Sequence, residues 1–205
     1  MAFMLDKQGL LLTVIIGIIV LVASDIRYIE TILIFFIAAL LITKYEYNAK
    51  KELGIYEHER SWENVLSNGL LPMLLAIASP FIGFIPYVSA LAAITADKFA
   101  SEIGVLGGNA ISLETLKPVR PGQSGAVSIL GTLASLAGGT LVGVSAIFIF
   151  NITPTNALII GVVGAVGSLI DSIFGIWEEK GIGTKATTNF VCSMAGAILG
   201  YLIIK

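Results

Sequence analysis

Seven apolar runs divide the chain: Leu10–Ala23, Tyr28–Thr43, Val65–Ser79, Phe81–Ala96, Gly125–Phe150, Asn156–Trp177 and Asn189–Ile204. A membrane-crossing helix needs about 20 mostly apolar residues. Each run, lengthened by its flanks where short, predicts one span, and together they predict an all-α polytopic bundle of about seven transmembrane helices. Tyr28, Tyr45, Trp62, Tyr87, Trp177 and Tyr201 lie near run ends, where interfacial aromatic side chains belong. Seven spans of about 20 residues leave about 65 positions for loops, so residues 1–205 are expected to form a single transmembrane domain. The first run is expected to be a retained span rather than a signal peptide. Val22-Ala23-Ser24 leads straight into Asp25-Ile26-Arg27, without a convincing small-residue cleavage site. The third and fourth runs, separated only by Ser79-Pro80, predict a tight helical hairpin, with Pro86 kinking or opening its second helix.

Composition sharpens this picture. Of 205 residues, 56% are hydrophobic and 13% charged, against about 25% charged in a soluble domain. A net charge of -2 without a free-standing basic cluster argues against nucleic acid as a partner. One histidine and one cysteine exclude an internal disulfide and a His/Cys zinc cage.

The cations give the expected orientation. In a seven-span chain the N-terminus shares its side with the second, fourth and sixth loops. That side carries Lys7, Lys44, Lys50, Lys51, Arg60, Lys98, Lys117, Arg120, Lys180 and Lys185; the other carries Arg27 and Lys205. The bias predicts a cytoplasmic N-terminus and an outside C-terminus in the cell membrane. The long loops, Lys44–Asn64, Asp97–Ser124 and Glu178–Thr188, then face the cytoplasm, and chemistry is expected there.

Several polar positions stand out against the apolar background. Lys44–Asn64 alternates in charge and reads as a solvated, salt-bridged surface helix, with His58 on its surface. Asn64 and Asn68 share a helix face at the membrane entrance, as interhelical glue or as a substrate contact. Asp97, Lys98, Ser101 and Glu102 continue the fourth run. Asp97 and Ser101 share one helix face, and Lys98 and Glu102 share another. Asp97 and Glu102 diverge by about 140° on an ideal helix, so they reach one site only if the helix ends or bends between them. Asp171, seven residues before Glu178 in the sixth run, lies about 10 Å deeper along its helix. A carboxylate at that depth needs a metal ion, a cation or a proton.

Two polar segments offer anion sites. Lys117-Pro118-Val119-Arg120-Pro121-Gly122-Gln123-Ser124-Gly125 opens the fifth span; bare N–H groups, a helix dipole and the Arg120 fork make a candidate phosphate cradle. It is not a Walker motif. Glu178–Asn189, rich in glycine and hydroxyls and carrying Lys185, enters the seventh span likewise. Carboxylates where the fourth and sixth helices end, and anion sites where the fifth and seventh begin, suit a Mg2+–phosphate ligand. Small residues along the fifth and sixth runs, Gly139 and Gly143 among them, predict close helix packing.

Ala96–Gly104 (ADKFASEIG), Arg120–Gly131 (RPGQSGAVSILG) and Gly167–Gly175 (GSLIDSIFG), with Asn189 following, resemble the integral membrane family containing the plant phytyl-phosphate kinase of vitamin E synthesis. Arg60–Pro72, with Asn68-Gly69, is similar more weakly. The likeness places catalytic blocks at about 60–72, 96–131 and 167–190. By this resemblance Asp97, Ser101, Glu102, Gly122, Ser124, Gly125, Asp171 and Asn189 occupy motif positions, and Asp97, Glu102 and Asp171 become the expected catalytic carboxylates and metal ligands. Asn68, Ser101, Lys117, Arg120, Gly122, Gln123, Ser124, Gly125, Lys185 and Asn189 become the expected substrate-binding set. Lys98-Phe99 departs from the family, which usually reads Thr-Trp there, and the segment between Asp171 and Asn189 is shorter than in some members. The implied activity is phosphorylation of a prenyl monophosphate to its diphosphate with a nucleoside triphosphate, CTP first among the candidates, and Mg2+. The resemblance leaves a homodimer open. Competing readings are a transporter or flippase of a phosphorylated lipid, another Mg2+-dependent lipid-phosphate enzyme such as a cytidylyltransferase or phosphatase, and a purely structural membrane protein.

Overall fold

A computed structural model describes residues 6–52, 54 and 62–204. His58, Arg60 and Lys205 lie outside the described residues. The chain folds into α1 (Lys7–Ala23), α2 (Ile26–Lys44), the short α3 (Tyr47–Glu52), α4 (Trp62–Ile82), α5 (Ile85–Gly104), α6 (Ile129–Phe150), α7 (Pro154–Glu179) and α8 (Lys185–Ile203). Among the described residues the seven long helices correspond one to one with the seven apolar runs.

Helix starts follow local chemistry. Asp6, Asp25, Ser128 and Thr153 accept backbone N–H bonds at the starts of α1, α2, α6 and α7, satisfying donors that have no intrahelical partner. Pro86 falls in the first turn of α5, so it opens the helix rather than kinking it. The hairpin between the third and fourth runs turns later than expected. α4 continues through Pro80 to Ile82 because the Ser79 hydroxyl donates to Ala76 O at 2.8 Å, replacing the bond that Pro80 cannot make. The reversal is made by Gly83 at φ 75°.

α5 is the central helix, with every residue from Pro86 to Ala96 buried. Contact with α2, α4, α6, α7 and α8 allows it to carry polar groups. Among the described residues α2, α4, α6, α7 and α8 are long and apolar enough to cross a membrane, and α1 is a shorter apolar helix. Their outer faces remain apolar: Val22 is 81% exposed and Phe148 80%. An apolar exterior of this extent fits lipid rather than water. Glycines set the closest approaches. A Cβ on Gly139 would lie 2.6 Å from Gly161 O, and one on Gly143 would collide with Ala157 O; α6 and α7 therefore touch backbone to backbone, as small residues permit.

The two ends of the bundle differ. At one end Tyr28, Phe84, Tyr87 and Phe150 form a packed aromatic cluster. Phe84 stacks on Phe150 at 4.5 Å, and Tyr87 Oη donates to Tyr28 O at 2.7 Å. Arg27 covers Phe150 at 5.4 Å, and its hydrogen bonds hold the Asp25 carboxyl below its ordinary pKa.

The long connections gather at the other end. Between α5 and α6 they form a small antiparallel sheet that hydrophobic patterning did not foresee: β1 (Ala110–Ser112), β2 (Pro118–Val119) and β3 (Ala126–Val127), in the order β2-β1-β3. The sheet displaces two expected boundaries. α6 begins at Ile129 rather than Gly125, and α5 runs on to Gly104 without breaking after Asp97. Short runs with turn residues form strands here because Ala110 pairs with Val119 and Ile111 with Val127.

Candidate functional site

A cavity of about 630 Å³ lies beneath this sheet, at the end of the bundle that holds the long connections. Its walls come from α2, α4, α5, α6, α7, α8 and the segment Pro121–Ser128. Of the expected site residues, Asn68, Asp97, Ser101, Glu102, Gly122, Gln123, Ser124, Gly125, Asp171, Lys185 and Asn189 line it. Lys117 and Arg120 do not: both are exposed on the sheet side of the loop. Further polar lining comes from Asn64, Ser128, Ser168, Ser172 and Glu178, from Thr132 and Ser135 of α6, and from Thr43, Lys50 and Lys98.

The centre of the cavity is a carboxylate pair. Asp171, 4% exposed, faces α5 from the small-residue side of α7, and Asp97 on α5 lies in its electrostatic field. Lys185, the first residue of α8, joins them: its Nζ donates to Asp171 Oδ2 at 3.0 Å. The other oxygen, Asp171 Oδ1, is buried without a hydrogen bond. A buried carboxylate oxygen without a donor is costly, and with the Asp97 and Asp171 carboxyl groups within hydrogen-bond reach of one another the pair needs a shared proton or a cation. Two carboxylates with a spare oxygen are also the donor set that Mg2+ uses. Among the described residues no group of three His, Cys, Asp or Glu side chains has metal-site geometry, so waters or phosphate oxygens would complete the shell.

Glu102, the expected third ligand, stands apart from the pair. The helix continues without a break from residue 97 to 102, in keeping with the divergence read from helical geometry. Its oxygens are engaged elsewhere. Oε1 accepts from Thr43 Oγ1 at 2.9 Å and lies 2.8 Å from Lys98 Nζ, and Oε2 accepts from Lys50 Nζ at 2.8 Å. Lys50 itself is buried, and its amine also donates to Ile42 O at 2.9 Å and Thr43 O at 3.3 Å. It thus caps the C-terminus of α2, where a cation is favoured, and ties α3 to α5. The alternating charge around Lys50 had suggested a solvated position; one of its lysines is instead interior.

The glycine-rich segment is built differently from a helix-entry cradle. The N-terminus of α6 is satisfied by Ser128, whose hydroxyl accepts from Gly131 N at 3.0 Å. Gly122–Gly125 lies four residues earlier, in the loop leading to β3, and leans on α7. Gly125 has φ 74°, and a Cβ there would sit 2.9 Å from Ile176 N; one on Gly175 would sit 2.5 Å from Gly125 N. This contact brings Ser124 over the end of α7. Its N–H donates to Glu179 Oε1 at 2.9 Å and its hydroxyl to Glu178 Oε1 at 3.3 Å. The loop does offer donors to anionic oxygen, but in this structure that oxygen belongs to glutamates that spacing alone did not single out. Glu178 and Asp97 also lie in the field of Lys185, so loop, pair and cation form one network.

Asn64 and Asn68 bond to each other within α4 rather than between helices, and the amide that links two helices is Asn189. Asn68 Nδ2 donates to Asn64 O at 2.8 Å and to Asn64 Oδ1 at 3.2 Å within α4, and Asn189 Nδ2 reaches Ser67 Oγ at 3.4 Å, linking α8 to α4. All three side chains border the cavity.

A helical membrane bundle with paired carboxylates, a lysine and a donor loop at one end defines the class. The chain belongs to the family described as integral membrane protein DUF92, which it matches over residues 2–199, and the resemblance drawn from the sequence blocks is borne out. It is 36% identical over 206 residues to an uncharacterized membrane protein of Methanocaldococcus jannaschii, covering 97% of this chain and 85% of that one. It is 31% identical over 212 residues to Protein PGR of Arabidopsis thaliana, covering 86% of this chain and 70% of the relative. It is 30% identical over 118 residues to Protein VTE6, chloroplastic, of the same plant, covering 57% of this chain and 35% of that protein. No solved structure matches it.

Proposed function

We propose that this integral membrane protein is a lipid-phosphate kinase that converts a prenyl monophosphate of the phytyl or geranylgeranyl type to the diphosphate. Its donor is a nucleoside triphosphate, CTP first among the candidates, its cofactor is Mg2+, and its site faces the cytoplasm. The observation that carries this reading is the unpartnered, buried Asp171 Oδ1 beside Asp97 in a cavity shared by polar loop and membrane helices. Family membership and the phytyl-phosphate kinase motif blocks add the substrate class.

Asp97 and Asp171 would hold the metal, which when bound supplies charge neutralisation to the phosphate oxygens. The remaining work falls to the chain's own groups. Lys185 and the Ser124 N–H offer positive charge and a donor to phosphate oxygens. Gly125 and Gly175 keep the loop close to α7, and Asn68 and Asn189 orient a bound oxygen. An oxygen of the prenyl phosphate attacks the γ-phosphorus, forming a P–O bond; the bond from the γ-phosphorus to the β-phosphate oxygen breaks, and the nucleoside diphosphate leaves with that electron pair. The attacking oxygen is already anionic, so no general base is required. The packed aromatic cluster at the opposite end favours this reading over a transporter, which needs a second gate.

The test is direct. Purified protein in detergent, given C20 prenyl monophosphate, Mg2+ and each nucleoside triphosphate in turn, is expected to yield C20 prenyl diphosphate and nucleoside diphosphate in equal amounts. Absence of product with every nucleotide overturns the proposal.

A further inference from the structure

The closest backbone approaches between α6 and α7 lie away from the carboxylates. Gly139 meets Gly161 and Gly143 meets Ala157, both toward the aromatic end. Farther toward the carboxylates Gly131 packs on α5 instead, against Ala100 O. The two helices therefore part into a wedge that widens toward Asp97 and Asp171, with Ala100 of α5 among its lining residues.

The wedge opens sideways. Val162, Val166 and Leu169 of α7 line the same cavity as Asp171, yet they are 48%, 39% and 47% exposed and share a helix face with Leu158 and Ile173, which are exposed and outside the cavity lining. A residue that borders the interior cavity and is open to the outside marks a gap in the wall. On the facing helix, the Thr132 hydroxyl donates to Ser128 O at 3.0 Å and the Ser135 hydroxyl to Thr132 O at 2.8 Å, so both hydroxyls are already engaged within α6.

We infer that the α6–α7 gap is a lateral slot for the hydrocarbon chain of the lipid phosphate, with the phosphate at Asp97, Asp171 and Lys185. The inference rests on the lipid-phosphate reading of that cavity and adds how the lipid enters and which residues measure it. The occupant is a single apolar chain, because the slot joins the bilayer at one end and a charged site with an unpartnered carboxylate oxygen at the other. Val162 lies nine residues from Asp171, about 13 Å along the helix. Only the part of a long prenyl chain nearest the phosphate occupies the slot; the rest stays in the bilayer. A C5 chain ends before Val162, and a C20 chain passes it.

Val162→Trp closes the far part of the slot at a half-exposed position. It is expected to raise KM for C20 prenyl monophosphate about tenfold, the loss of roughly two methylenes of burial, with kcat unchanged. KM for C5 prenyl monophosphate is expected to stay within about twofold, a change worth well under one methylene. Val144→Trp, on the lipid face of α6 and away from the cavity, is the control and is expected to change neither. Equal effects on C5 and C20, or none on C20, overturn the slot. A second measurement does not depend on turnover: C20 prenyl monophosphate carrying a chain diazirine is photolysed with the wild-type protein and the labelled peptides are mapped. Labels on residues 162–169 and 131–135 support the slot even if no nucleotide is consumed, in which case the kinase reading alone fails. Labels confined to other surfaces overturn the slot.

Discussion

Lys185 at the start of α8 holds one oxygen of Asp171 at 3.0 Å and leaves the other buried and unbonded. The carboxyl group is thus paired on one oxygen and has no donor on the other, where Asp97 is its neighbour. Asp171→Asn retains an acceptor for Lys185 and nearly the same shape, while removing the charge. Loss of a metal ligand should lower phosphoryl transfer about a thousandfold, the scale of several kcal/mol of charge stabilisation. Mg2+ should raise the melting temperature of the wild type and not that of the variant. Near-wild-type turnover, or equal Mg2+ stabilisation in both proteins, would remove Asp171 from the metal site.

Glu102 makes the complementary prediction. Its oxygens are bound by Thr43, Lys50 and Lys98, so its role is to anchor α3 and the end of α2 against α5. Glu102→Gln should leave Mg2+ stabilisation intact. Lys50→Met removes the cap on the α2 carbonyls and one partner of a buried pair, which costs about 3–5 kcal/mol when uncompensated. Chemical denaturation in detergent should show that loss. A Glu102→Gln protein that no longer responds to Mg2+ would restore Glu102 to the ligand set.

These residues also show how far sequence reasoning reaches. Asp171 was legible because a lone carboxylate inside an apolar run has few explanations. The angular separation of Asp97 and Glu102 was legible too, from helical geometry, although the family resemblance grouped them. Lys50 was hidden by its neighbours: alternating charge looks solvated whichever lysine finds a buried partner fifty residues away. The Ser124 bonds to Glu178 and Glu179 were hidden for the same reason, since spacing along one helix carries no information about a loop from another part of the chain. The small sheet escaped because strands of two or three residues leave no periodicity to detect.

The Gly125–Gly175 contact separates helix propensity from function. Alanine at 175 favours an isolated helix by about 1 kcal/mol over glycine, yet here its Cβ would lie 2.5 Å from Gly125 N. Gly175→Ala should therefore push the Ser124 loop away from α7. KM for the nucleotide should rise severalfold while global stability changes little. Gly125→Ala adds left-handed strain of about 1–2 kcal/mol to the clash with Ile176 and should lose both stability and activity. Unchanged nucleotide affinity in Gly175→Ala would show that the loop has no part in binding.

The last prediction concerns orientation. Among the described residues, Lys7, Lys44, Lys50, Lys51, Lys98, Lys117, Arg120, Lys180 and Lys185 belong to the cavity end of the bundle, and Arg27 to the aromatic end. Such a bias predicts a cytoplasmic cation-rich end. Cellular nucleoside triphosphates are there too, so the expected topology and the proposed chemistry demand the same side. Cys192 is buried, and replacing it with serine gives a background for single engineered cysteines. Thr115 and Ile182 are exposed at the cavity end, and Asn151 and Thr155 at the aromatic end. In intact cells a membrane-impermeant maleimide should label cysteines at 151 and 155. It should reach those at 115 and 182 only after permeabilisation. Labelling of 115 and 182 from outside, with 151 and 155 protected, would invert the bundle, put the carboxylate pair on the face without nucleotide, and leave the kinase proposal without its phosphoryl donor.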